Sequence, residues 1–126
     1  MKNNCPFCSI SSSRIVSETD LMTLIQDGFP VAKGHLLIIP KRHIISFFDL
    51  HSKELQDVLK LLHEAKGLLN SLYQPDGYNI GINDGAAAGQ TVQHLHIHII
   101  PRYKGDSPDP RGGIRWVIPE KVKYWK

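Results

Sequence analysis

The segment His94-Leu95-His96-Ile97-His98-Ile99-Ile100 does most to decide the fold of this chain. Histidines alternate with aliphatic residues, and a period of two is typical of a half-buried β-strand. Because residues two apart in a strand project to the same face, the imidazoles should line one side while the aliphatic side chains face a core. A row of imidazoles near neutral pH can bind a metal, bind phosphate, or supply a nucleophile with acid–base assistance.

The flanking sequence predicts four further strands and one long helix. Short apolar runs bounded by turn residues predict strands at 14–17, 21–26, 35–39 and 78–82. Apolar residues spaced by three and four predict an amphipathic helix, with this stripe: Leu55, Val58, Leu59, Leu62, Ala65, Leu69 and Leu72. Leu61 and Leu68 lie partly off the stripe, either as a second apolar face for a subunit contact or as flanks of the core. One helix cannot provide the crossovers of a parallel sheet, so we expect an α+β fold with a mainly antiparallel five-stranded sheet.

Length and composition are those of one globular domain. The chain has 126 residues, a hydrophobic fraction of 41% and a formal net charge of +3 at pH 7. This charge is compatible with binding a phosphorylated small molecule and is well short of a nucleic-acid-binding signature. No apolar run is long enough to span a membrane, and the N-terminus lacks the apolar stretch of a secretory signal. We therefore expect a cytoplasmic protein without membrane or nucleic-acid partners.

Several sequence blocks resemble the histidine triad (HIT) family, and they occur in the order and spacing of that family. The segment 89–102 resembles its signature of three histidines alternating with apolar residues. The segments Cys5-Pro-Phe-Cys8, 34–43 and 83–89 also resemble it, so the likeness covers residues 5–102. The tail segment 112–119 resembles bacterial nucleotide hydrolases of the family. We expect a single domain over 1–126, with a core at 5–102. The tail, 103–126, contains Trp116 and Trp125 among other large apolar residues, and we therefore expect it to pack on the body or on a dimer partner.

The resemblance also implies a hydrolase that cleaves at the α-phosphate of a nucleotide and releases a monophosphate such as AMP. His96 matches the nucleophile, which would form a covalent nucleotidyl-histidine. His98 matches a residue that holds phosphate oxygens. Nucleotide contacts are further implied for Asp27 (ribose), Asn83, Gly89, Gln90 and Thr91. Ordinary turn chemistry is the alternative explanation for Asp27, Gly89 and Thr91, and the base is expected in an apolar cleft that includes Leu21, Ile25 and Phe29.

Cys5 and Cys8 have the spacing of half a tetrahedral zinc site. The resemblance implies that His43 and His94 complete a structural zinc site, with His51 as the alternative to His43. The alternative explanations are a metal-free pair of reduced thiols and a redox pair, although no βαβ pattern surrounds the cysteines. No organic cofactor is implied. Of the other histidines, we interpret His35 as structural and His63 as a residue of the helix surface.

Three hypotheses about function remain open at this point. The first is a nucleotide hydrolase, acting on dinucleoside polyphosphates of the diadenosine tetraphosphate (Ap4A) type or on purine nucleoside phosphoramidates; Asn83 is typical of phosphoramidase members, whereas the tail favours the polyphosphate hydrolases. The second is a non-catalytic nucleotide-binding module of the same fold. The third is a metal hydrolase that uses the three histidines of segment 94–98 as ligands. The resemblance also implies a homodimer and an adenosine-containing nucleotide as the small-molecule partner.

Overall fold

Five strands form one antiparallel sheet in the computed structural model, which describes residues 4–126. The elements are β1 (Ile15–Glu18), β2 (Met22–Gln26), β3 (Leu36–Pro40), α1 (Ser52–Tyr73), β4 (Gly77–Gly81) and β5 (Ile97–Arg102). The strand order is β1-β2-β3-β5-β4, and every neighbouring pair is antiparallel. The expected α+β fold is therefore confirmed. Among the described residues, no helix is long and apolar enough to cross a membrane.

The main core lies between α1 and one face of the sheet. It contains Met22, Leu24, Leu36, Ile38, Ile97 and Ile99 from the strands and Val58, Leu61, Ala65 and Leu69 from the helix. All of these side chains are less than a tenth exposed, which makes their removal from water the largest favourable contribution to folding. The opposite face of the sheet carries a second, smaller apolar cluster of Ile25, Leu37 and Ile39, together with the histidines of β5 and its approach.

The helix begins with a capping box that involves a buried carboxylate. His51 is the N-cap, and its backbone N–H donates to Glu54 at 2.8 Å, which pairs a donor that the helix itself leaves without a partner. Arg42 donates two further hydrogen bonds to the same carboxylate. These hydrogen bonds lower the pKa of Glu54, Arg42 contributing most, and compensate the burial of its charge.

The buried face of α1 differs by part of a turn from the predicted stripe. Leu61 was expected off the stripe, and it is fully buried in the core. The predicted stripe residues Leu55, Leu59 and Leu72 are exposed instead. A helix so rich in leucine permits either phase, and in the phase adopted Glu54 of the first turn is buried and pairs with Arg42.

Regular pairing of β5 begins at Ile97 rather than at His94, where the strand was predicted to start. The Leu95 N–H donates to the Ile44 carbonyl at 2.8 Å instead of to a strand neighbour. Residues 94–96 therefore run beside the segment that follows β3 before the chain enters the sheet at Ile97. This path separates His94 from the two histidines that follow it.

Candidate functional site

Four side chains from three separate segments converge beside the end of β3. Cys5 and Cys8 come from the N-terminal loop, His43 follows β3, and His94 precedes β5. The Sγ of Cys5 lies 3.3 Å from Nδ1 of His94, and the Sγ of Cys8 lies 3.0 Å from Nδ1 of His43. All four donor atoms lie within 4.8 Å of one another. The structure thus brings the four predicted ligands together, and they are placed to bind a metal.

The hydrogen bond made by the second ring nitrogen of His94 supports a metal-binding role for this cluster. Nε2 of His94 donates to the Pro40 carbonyl at 2.9 Å, so a neutral ring has its unprotonated Nδ1 turned towards the cysteines. Burial lowers the pKa of His94, which keeps the ring neutral as a ligand must be. Two thiolates and two imidazoles form a closed tetrahedral set typical of structural zinc, without an open position for water. His51 takes no part in this set, because it caps α1.

His96 lies next to this cluster and is oriented by one of its members. Its Nδ1–H donates to the backbone carbonyl of His94 at 2.9 Å. The proton of the neutral ring is thereby placed on Nδ1, and Nε2 is left with its lone pair available for attack. The ring of Phe7, from the loop between the two cysteines, lies 5.1 Å from the His96 ring between centroids. The N-terminal loop and the segment before β5 both supply residues of the cluster of cysteines and histidines, and both therefore also contact the predicted nucleophile.

His98 belongs to a second cluster on the same face of the sheet. Its Nδ1 lies 2.9 Å from Nε2 of His35 and 3.9 Å from a carboxylate oxygen of Asp27. The same oxygen of Asp27 lies 3.3 Å from Nε2 of His35. The pKa of His35 is lowered, and the pKa of His98 is lowered to about 4, in both cases mainly by burial. Both rings are therefore neutral at pH 7.

The sequence alone did not identify His35 as a member of this cluster. A polar residue directly before the fully apolar run of β3 was the available signal. The importance of His35 depends on the register of β3 against β5, in which Leu37 is the partner of His98. His35 therefore lies near His98 across the strand pair. Asp27 has two roles here, since its other oxygen accepts the Phe29 N–H at 2.7 Å and forms the turn that follows β2.

The loop between β4 and β5 provides the remaining predicted contacts. Asn83 and Thr91 are exposed on it, and Gly89 has a φ of 96°, a conformation that favours glycine. Gln90 differs from the expectation, because its side chain is buried and bonded to the loop backbone: Oε1 accepts from Gly85 N, and Nε2 donates to the carbonyls of Ile45 and Val92. We therefore revise the role of Gln90 from ligand contact to support of the loop.

A small apolar cluster borders the histidines on the face opposite α1. Ile25, Leu37 and Ile39 are its buried members, and the partly buried residues Phe7, Ile10 and Ile15 pack against them. Of the residues expected to contact a base, Ile25 belongs to this cluster and is fully buried. Phe29 is 92% exposed on the turn after β2, and Leu21 is held by a bond from its N–H to Asp57 of α1.

Comparison with known proteins connects this arrangement to one family. The family model for the HIT domain matches residues 10–105. The chain is 37% identical, over 75% of its length and 52% of the relative, to the asymmetrical bis(5′-nucleosyl)-tetraphosphatase of Schizosaccharomyces pombe. It is 45% identical, over 76% of its length and 44% of the relative, to the bis(5′-adenosyl)-triphosphatase of Saccharomyces cerevisiae. A zinc-bound histidine triad family protein from Mycobacterium smegmatis has a similar crystal structure, with a TM-score of 0.74, 32% identity and coverage of 86% of each chain.

Proposed function

Because the chain belongs to the HIT domain family, we propose that it is a nucleotide hydrolase that cleaves at the α-phosphate through a covalent nucleotidyl-His96. The observation that carries this proposal is the hydrogen bond from Nδ1 of His96 to the His94 carbonyl. In the neutral form of this partly exposed ring, Nε2 is left as the one available nucleophilic atom. A protein that only binds nucleotides has no need of such an arrangement.

The proposed reaction has two displacements at phosphorus. Nε2 of His96 attacks the α-phosphorus, the bond to the leaving group breaks, and the nucleoside monophosphate remains on the ring. Water then attacks the same phosphorus and loses a proton to solvent, the bond to Nε2 breaks with its electron pair returning to the ring, and the monophosphate leaves. The groups proposed to neutralise the phosphate oxygens during both steps are the N–H of His98 and the remaining amides of the 83–91 loop, because the amides of Gly85, Ala88, Gly89 and Gln90 already donate within the loop.

We further propose that Cys5, Cys8, His43 and His94 hold a structural zinc ion. Bound zinc would tie the N-terminal loop to the segment that enters β5, and would leave the chemistry to the imidazoles. The competing idea of a three-histidine catalytic metal has no support in the geometry. His94 joins the cysteines, whereas His98 joins Asp27 and His35, so the three rings do not converge on one point. Thiolate ligands also suit the reducing cytoplasm, which is the location we propose.

The substrate we propose is an adenosine-containing dinucleoside polyphosphate. The names of the two yeast enzymes support this class. A purine nucleoside phosphoramidate is the second candidate, because Asn83 stands on the exposed loop at the position where the resemblance favours phosphoramidases. Either substrate would place its adenosine beside the partly buried residues Phe7, Ile10 and Ile15 of the apolar cluster, with the ribose near Asp27.

The test is release of AMP by the purified protein from diadenosine tetraphosphate and, side by side, from adenosine 5′-phosphoramidate. His96→Ala is the inactive variant, and His63→Ala, at an exposed position of α1, is the matched histidine control. Faster turnover of the dinucleotide supports the first substrate class, and faster turnover of the phosphoramidate supports the second. Equal activity of His96→Ala and wild type on both would show that the covalent mechanism is wrong.

We also propose a homodimer that joins the β4 edges of two sheets. β4 is an edge strand, and Ile80 on it is 55% exposed on the side that α1 occupies, since its partner Ile99 belongs to the main core. Exposed Leu55 and Leu59 on α1 add apolar surface, which a second copy could bury. A monomer by light scattering at micromolar concentration would refute this proposal.

A further inference from the structure

The turn that follows β2 fixes the position of the proton on His35. The backbone N–H of Val31 donates to Nδ1 of His35 at 3.1 Å, so Nδ1 carries the lone pair and a neutral His35 has its proton on Nε2. The turn is itself closed by two backbone hydrogen bonds, from Asp27 N to the His35 carbonyl and from His35 N to the Ala32 carbonyl. His35 is only 4% exposed, and the ring therefore has little freedom to choose another tautomer.

The proton on His35 in turn decides the tautomer of His98. Nε2 of His35 faces Nδ1 of His98 at 2.9 Å, and one of these two atoms must accept. Because the His35 atom is the donor, Nδ1 of His98 accepts, and the proton of a neutral His98 lies on its outer nitrogen, Nε2. The same reasoning argues against a metal between Asp27, His35 and His98, since a protonated Nε2 of His35 cannot ligate one.

We propose that His35 is a positioning residue that holds His98 as a permanently neutral hydrogen-bond donor to a phosphate oxygen, and that His98 is not the acid that protonates the leaving group. This inference rests on the nucleotide hydrolase function proposed above. Protonation of His98 on Nδ1 would place two N–H donors against each other across 2.9 Å. The ionisable groups that face His98 are His96 on its own strand, His35 before β3 and Asp27 after β2, and only Asp27 favours its charged form.

The chain of hydrogen bonds cannot pass a proton to the substrate. If His98 gave up its Nε2 proton, it would have to take the proton of His35. His35 could then be refilled neither from the Val31 amide, which does not ionise, nor from an ionised Asp27 carboxylate, which lies 3.3 Å from its Nε2 and has no proton to give. Any proton that the leaving group needs when its bond to phosphorus breaks therefore comes from solvent. His98 keeps its proton throughout and contributes through the hydrogen bond alone.

Nitrogen NMR of histidine-labelled, zinc-loaded protein tests the tautomer directly. We expect His98 to be neutral at pH 6 with its proton on Nε2. In His35→Leu the donor is lost, so His98 should titrate at a higher pH as a partner of Asp27. His35→Gln keeps an N–H donor at a similar distance from the main chain and should restore the wild-type signal, and His63→Gln serves as the surface control. A proton on Nδ1, or a charged His98 at pH 6, would overturn the proposal.

A series of adenosine 5′-phosphate esters of phenols of different acidity tests the role of His98 in the reaction. The rate of the first turnover, in which nucleotidyl-His96 forms, is compared between wild type and His98→Asn. A fixed donor predicts the same loss for every phenol, of about 100-fold, which is typical when one donor to a developing oxyanion is removed. A loss that grows as the phenol becomes less acidic would show that His98 is the general acid. If no nucleotide is cleaved, the hydrolase function fails, while the NMR result still decides the tautomer.

Discussion

The side chain of Gln90 should be as important for stability as a large core residue, although it is polar. It is 5% exposed and makes three hydrogen bonds to the backbone. Two are within its own loop, at 2.8 Å to Gly85 N and at 3.1 Å to the Val92 carbonyl, and one, at 3.0 Å, is to the carbonyl of Ile45 in the segment after β3. Gln90→Met preserves the volume and removes all three. At about 1 kcal/mol of net stabilisation for each hydrogen bond, the free energy of unfolding should fall by about 3 kcal/mol.

Urea denaturation of wild type and Gln90→Met measures this loss, and Gln93→Met provides the matched control because Gln93 is exposed on the same segment. The control should change the free energy of unfolding by less than about 0.5 kcal/mol. Because Gln90 shapes the loop that we propose to contact the phosphates, the KM of Gln90→Met should also rise. A loss below about 1 kcal/mol with an unchanged KM would refute the structural role assigned to Gln90.

Three further predictions concern the cluster of Cys5, Cys8, His43 and His94, a glycine with a positive φ, and stability in acid. Cys8→Ser should lose zinc by elemental analysis and at least about 3 kcal/mol of unfolding free energy, whereas Ser9→Ala in the same loop should retain both. Gly34→Ala should destabilise the fold by about 2–3 kcal/mol in urea denaturation, because φ is +90° and the new methyl group would lie 2.8 Å from Leu69; Gly67→Ala, in an open position on α1, should stabilise it by about 0.5–1 kcal/mol. The pKa of His98 is lowered from 6.5 to about 4, so its contribution to stability is present above the unfolded pKa and is lost as pH falls from 6.5 towards 4. Between pH 7 and about pH 4.5, the free energy of unfolding should fall by about 2.5 kcal/mol more for wild type than for His98→Asn. Equal losses would contradict the lowered pKa.

The sequence predicts those features that depend on local pattern. The strands, the helix and the four residues Cys5, Cys8, His43 and His94 follow from spacing, turn residues and resemblance, and the structure places them as expected apart from the later start of β5. His35 could not be assigned from its position, because its role depends on the register of β3 against β5. Leu61 and Leu55 exchange roles because leucines on two faces of α1 make both phases apolar, so the local pattern does not choose between them. Gln90 shows the same limit, since its partner Ile45 lies 45 residues away in sequence.

The dual role of His94 affects how an experiment with chelators should be interpreted. Its ring nitrogen faces the cysteines and its carbonyl orients His96, so stripping the proposed zinc would disturb the nucleophile through one peptide unit. Activity would then disappear on chelation and return with added metal, as it does for an enzyme whose metal touches substrate. The identity of the restoring ion separates the two cases. If the metal only holds the backbone in place, zinc, cobalt and cadmium should restore nearly the same rate. If it polarises phosphate oxygens, each ion should restore a different rate.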